Sequence, residues 1–185
     1  MVGLKSVLSV ALLVGLFAGE APARQDDERL VPLFEQLLVT NDLSQASLIE
    51  KSIWNIWMVS GNERIDLLML LGVQNMASGQ YRQALKLFTL ALETDPHYAE
   101  AWNKRATVRF LVGDLNGSVS DVGRVLELEP RHFGAFAGLG QIYELKKTPD
   151  QAIAAFEKAL KINPHMPGVV RKIRLLRLEI DGSKI

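Results

Sequence analysis

A chain of 185 residues with 48% apolar side chains is long enough to bury a sizeable core as one domain. Twenty-one basic residues cancel twenty-one acidic ones, so no overall field draws it toward nucleic acid or an anionic membrane. The lack of cysteine excludes disulfides, thiolate metal sites, a cysteine nucleophile and an acylated N-terminal cysteine, and an oxidising compartment would do the chain no harm.

Lys5, an apolar run from Val7 to Gly19 and the small-x-small tripeptide Ala21-Pro22-Ala23 match a secretory leader. Residues 1–23 are therefore expected to be removed after Ala23, since the run falls short of the roughly 20 residues that span a bilayer. A retained anchor is the alternative. The processed protein is expected to be periplasmic or secreted, without a stable membrane span.

After a polar stretch, Leu30, Leu33, Phe34, Leu37 and Leu38 recur at helical spacing up to Asn41. A second helix is signalled by Asp42 or Ser44 as cap and by Leu48, Ile49, Ile53, Ile56 and Trp57 along one side, and the turn at Gly61 should stop it. Residues 24–64 thus predict a helical hairpin, read as a cap on the apolar end of the first repeat. Trp54 and Trp57, with Ile53 and Ile56, are expected to be buried there.

From Ile65 onward one pattern recurs. Pro96, Pro130 and Pro164 stand 34 residues apart. The same step relates Leu92, Leu126 and Leu160; Phe88, Val122 and Phe156; Ala84, Ser118 and Ala152; and Gly72, Ala106 and Gly140. This resembles the tetratricopeptide repeat (TPR), a 34-residue helix-turn-helix unit. The resemblance covers 65–166, read as repeats 65–98, 99–132 and 133–166. Val169, Ile173, Leu176 and Ile180 then form the sealing stripe of a capping helix over 167–185. The middle copy departs from the pattern. Arg105 stands in a leucine place, Arg109 in the tyrosine place, Ser118 for alanine and Val122 for phenylalanine. Asp121, on the partner helix, is the expected ion-pair partner of Arg105.

The resemblance implies an all-α solenoid, similar to exported bacterial TPR proteins, whose first helices line a concave groove that holds a protein or peptide. Carried onto this chain, the groove residues are Asp66, Met69, Val73 and Met76; Glu100, Asn103, Thr107 and Phe110; and Gly134, Ala137, Gln141 and Glu144. Some members clamp a chaperone's C-terminal carboxylate. Here Met69, Val73, Gly134 and Gly138 replace most of that clamp, although Asn103 and Lys104 remain. The expected function is a non-enzymatic adaptor or scaffold outside the cytoplasm, binding protein or peptide and no nucleic acid. The alternative is a self-associating component of an envelope assembly, a homo-oligomer.

Competing chemistry finds little support. His97, His132 and His165 fall in separate loops on the order of 10 Å apart, too far to share one ion. Gly134, Gly138 and Gly140 lack the following Lys-Ser or Lys-Thr of a phosphate loop, though Gly134 and Gly138 leave room for something to approach. No nucleophile signature or catalytic carboxylate pair stands out, and no cofactor or metal is expected. Arg171, Arg174 and Arg177 read as a solvated basic face or, failing that, a site for an acidic partner.

Overall fold

The computed structural model describes residues 25–182, so the expected leader with its processing site after Ala23 lies outside the described residues. Local chemistry sets the helix boundaries. The Asp42 side chain accepts from the backbone N–H groups of Ser44 and Gln45 and opens α2 (Leu43–Trp57), which follows α1 (Leu30–Val39). Asn62 caps α3 (Glu63–Ala77) in the same way, and Asp114 caps α6 (Leu115–Leu128). Such oxygens satisfy donors that have no partner within the helix. Between them lie α4 (Tyr81–Thr94) and α5 (Ala99–Leu111). The chain continues through α7 (Phe133–Leu145), α8 (Pro149–Ile162) and α9 (Pro167–Gly182). Among the described residues there are nine helices and no strand, and no helix is long and apolar enough to cross a membrane.

Helices α3/α4, α5/α6 and α7/α8 form antiparallel pairs, each turning on a residue with positive φ: Gly79 (73°), Gly113 (83°) and Lys147 (56°). The turns are equivalent, and glycine adopts that conformation without a Cβ penalty. Within the outer pairs a phenylalanine ring packs closely on a glycine. A Cβ added to Gly72 would meet the Phe88 ring at 2.5 Å, and one added to Gly140 would meet Phe156 at 2.5 Å. The small residue is thus required by close helix crossing. Successive cores follow from this arrangement: Phe88, Leu92 and Tyr98 in the first, Ala106, Val122 and Val125 in the next, and Phe156 with Val169, Ile173 and Leu176 of α9 in the last.

In the irregular middle pair an ion pair stands at the place that Leu71 and Leu139 hold in the outer pairs, a place that is only partly covered, since Leu71 is exposed and Leu139 half-buried. The Arg105 guanidinium donates two bonds of 2.8 Å to Asp121, which is 1% exposed, and Arg109 approaches the same carboxylate at 3.1 Å. Arg105 also lies over Trp102, 4.6 Å from the ring centre. A planar guanidinium can satisfy both contacts at once.

The N-terminal hairpin departs from the sequence expectation. It does not seal the outer side of α3 and α4. Its core of Leu30, Phe34, Leu37, Ile49, Ile53 and Trp57 closes instead around Phe133, with Ile162 and Met166 alongside. It reaches the loops that follow all three repeat prolines. Gln25 donates to the His97 carbonyl and Tyr98 to the Trp57 carbonyl; Arg131 donates to the Gln25 carbonyl, while His165 Nε2 lies 3.0 Å from the Leu37 carbonyl oxygen. The cause is shape and chemistry: flat aromatic rings on α2 meet aromatic loop residues, and polar loop groups find carbonyls. Leu48, expected on the inner stripe, is 67% exposed, and Leu38 is 51% exposed.

Candidate functional site

Helices α3, α5 and α7 are neighbours, so the first members of the pairs share one face. Between α5 and α7 that face opens into a cleft of 190 Å³. Ala106, Ser118 and Val122 lie at its α5 and α6 side, and Ala135 and Ile142 at its α7 side. Asn103, Thr107, Phe110, Gly134, Gly138 and Gln141 complete its lining. Thr107 and Gln141 are exposed, Phe110 and Gly138 half-buried.

The polar groups of the cleft are already oriented. Asn103 Nδ2 donates to Glu100 Oε2 at 3.0 Å, Thr107 donates to the Asn103 carbonyl at 2.9 Å, and the Ser118 hydroxyl donates to the Ala106 carbonyl at 2.8 Å. Beneath the rim, Glu100 is 1% exposed and is held by Lys104 at 2.8 Å and by His132 Nε2 at 3.1 Å. His132 Nδ1 accepts the Ala135 N–H at 3.0 Å, so the ring proton sits on Nε2 and is donated to Glu100. Burial pushes the Glu100 carboxyl up, but Lys104 and His132 together outweigh it and hold the group at about 2.

The hairpin packs against the residues beside the cleft. Trp57 stacks on His132 with centroids 4.2 Å apart and rings 9° from parallel, and Trp54 meets the same ring edge-on. Lys104 lies over Trp54 at 5.4 Å. A Cβ on Gly134 would sit 2.6 Å from the Trp54 ring, so the space left by that glycine is filled by the chain's own tryptophan. Gly138 differs: a Cβ there would meet nothing within 4 Å.

The groove residues expected from sequence divide accordingly. Asn103, Thr107, Phe110, Gly134 and Gln141 come together at the cleft. Met69 does not: it is 1% exposed, in the core with Phe88 and Tyr98, and Val73 and Met76 pack half-buried against the same core. Glu100 is likewise a buried support and not a groove wall. Asp66 accepts from the backbone and hydroxyl of Ser60 at 2.7 Å, Ala137 is 7% exposed, and Glu144 pairs with Lys172 of α9. Trp54, Trp57 and His132 were missed as site residues. A signal existed: Tyr98, His132 and Met166 repeat at the 34-residue step in three loops, an unusual place for large side chains. On α9, Arg177 pairs with Glu157 at 2.7 Å while Arg171 and Arg174 are exposed.

Comparison with known proteins places this geometry in context. Two tetratricopeptide-repeat profiles match, over 71–123 and 134–166. A TPR repeat-containing protein of Rhizobium etli is 34% identical over 157 residues, covering 85% of this chain and 77% of that protein. The DnaJ homolog subfamily C member 3 of Bos taurus is 31% identical over 103 residues, 56% of this chain but only 20% of its own length. Among solved structures, the first TPR of Spaghetti (RPAP3), bound to the HSP90 peptide SRMEEVD, has a TM-score of 0.62 at 18% identity, over 64% of this chain and 94% of that one. MamA has a TM-score of 0.61 at 21% identity, over 76% and 80%. At these identities the structural likeness speaks for the fold alone.

Proposed function

Because the chain belongs to the tetratricopeptide-repeat family, we propose that it is a non-enzymatic adaptor that holds a segment of another polypeptide in the α5–α7 cleft. The observation that carries this reading is the cleft itself, where Asn103, Thr107, Phe110 and Gln141 converge beside an apolar floor. A mostly apolar concavity with a few fixed polar groups suits recognition, and a half-buried aromatic at its edge suits an anchor. The basic start, short apolar run and Ala21-Pro22-Ala23 support work outside the cytoplasm, as a periplasmic or secreted protein.

Photo-crosslinking tests the reading. A photoreactive residue at Thr107 or Gln141 should trap a discrete partner in the native compartment, and one at exposed Arg171 should not. Crosslinks from Arg171 alone would move the binding surface to the terminal helix. A second reading, self-association, draws on the exposed Val170, Leu175 and Leu178 of α9, an apolar face larger than a solvated helix requires. Sedimentation at rising concentration separates the two readings: a monomer leaves the adaptor, and a stable dimer lost in Leu178→Glu favours assembly through α9.

A further inference from the structure

Each end of the stacked pairs lacks a helix that the interior supplies. In every later first helix, one face packs into the core of the pair before it. Ala101 and Val108 of α5 lie in the α3–α4 core, Ala135 and Ile142 of α7 lie with Val122 and Val125, and Val169, Ile173 and Leu176 of α9 lie with Phe156 and Ala159. These seven residues are at most 8% exposed. The same 34-residue step leads back to Leu67, Leu71 and Gln74 on α3. There Leu67 is 55% exposed and Leu71 37%, with Leu70 beside them at 53%. Among the described residues no pair stacks on this face, because the hairpin that precedes α3 in sequence lies along the loops. The outer face of a terminal repeat is ordinarily polar, since an uncovered apolar one invites association.

The other end is bare in the complementary sense. Leu68, Trp102 and Phe136 each pack with the second helix of their own pair. The step leads to Val170 of α9, which is 52% exposed and has no following helix among the described residues. Between α8 and α9 a groove of 490 Å³ runs past Leu160, Val170, Arg174 and Leu178. Glu157 on its rim pairs with Arg177, and Arg174 is exposed. Arg174 stands where Gly72, Ala106 and Gly140 let paired helices cross closely, so a helix entering this groove is held further off and meets a guanidinium. Helix α3 answers both features. It carries Leu67 where α5 and α7 carry alanine, a side chain that reaches across a wider spacing. Exposed Glu63 heads the same stripe, at helical spacing from Leu67, Leu70 and Leu71.

Resting on the self-association reading, we infer that copies of this chain stack head to tail. Helix α3 of one copy lies in the α8–α9 groove of the next, its leucines against Val170 and Leu178 and Glu63 facing Arg174. The contact joins two different surfaces, so it is heterologous and repeats from copy to copy. The α5–α7 cleft lies at neither end and stays open along the stack.

Sedimentation velocity of the purified chain at rising concentration should show a ladder of species beyond the dimer. Leu67→Glu damages one end and Leu178→Glu the other; both residues are exposed, so helical circular dichroism should not change. Each variant alone should associate at least about tenfold more weakly, the loss of an anchoring contact. Mixed in equal amounts, the two should form a one-to-one dimer that does not grow, since one intact groove meets one intact α3. A mixture no more associated than either variant overturns the inference. So does a wild type that stops at a dimer kept in Leu67→Glu and lost in Leu178→Glu, which leaves self-association through α9 standing. A monomer at every concentration overturns both and leaves the adaptor reading in place.

Discussion

Glu100→Gln tests the chemistry beneath the cleft most directly. The wild-type carboxyl is held at about 2 against an ordinary 4.5, so ionised Glu100 stabilises the folded chain by about 3 kcal/mol at neutral pH. Because the folded group is the stronger acid, that stability is complete above pH 4.5 and is lost as pH falls from there toward 2. The neutral amide removes this contribution and leaves Lys104, one-fifth exposed, without its counter-charge. Urea unfolding at pH 7 should therefore show Glu100→Gln destabilised by about 3 kcal/mol, in line with breaking a buried pair. Over the range from pH 5 to pH 3 the wild type should lose stability more steeply than the variant, and their curves should converge. The reasoning is refuted if the variant equals the wild type at pH 7, or if both lose stability in parallel in acid.

Arg105→Ala should cost about 3 to 5 kcal/mol in the same assay, since it strands the buried Asp121, whereas Arg177→Ala, which loses an exposed pair, should cost about 1 kcal/mol or less; equal costs would contradict the buried pairing. Gly134→Leu must push Trp54 aside, so tryptophan emission should shift to the red and proteolysis within residues 30–57 should quicken, while unchanged emission would show that Trp54 does not pack there. Purified from outside the cytoplasm, the protein should begin at Arg24; an intact Met1 in N-terminal sequencing would contradict processing after Ala23.

The helix pairs were legible because their packing is local and periodic. A ring on a glycine, a positive-φ turn and a proline recur at one step, so each copy supports the others. The Arg105–Asp121 pair was legible for the opposite reason, as a charge in a leucine place of the repeat with an acidic residue on the facing helix. The groove residues were only partly legible. The fifth position of each unit, Met69, Asn103 and Ala137, is buried in all three by neighbouring helices, whereas Thr107 and Gln141, four residues on, stay exposed. The site of the hairpin was not legible, since its contacts join α2 to loops about 40 to 110 residues away and α2 has no periodicity that names them. Trp57 illustrates the consequence: its indole N–H is buried without a hydrogen-bond partner among the described residues, so ring stacking and burial govern its position.

The hairpin and the cleft are parts of one arrangement. Trp57 covers His132, His132 donates to Glu100, and Glu100 accepts from the Asn103 amide at the cleft. Each link depends on the one before. A carboxylate in water would gain little by holding one amide in one orientation, because solvent competes for both groups; buried among Lys104, His132 and Asn103, Glu100 meets no such competition. The aromatic hairpin therefore does more than bury apolar surface along the loops. By packing on His132 it supports the ring that donates to Glu100, and through Glu100 it fixes the orientation of the Asn103 amide at the cleft.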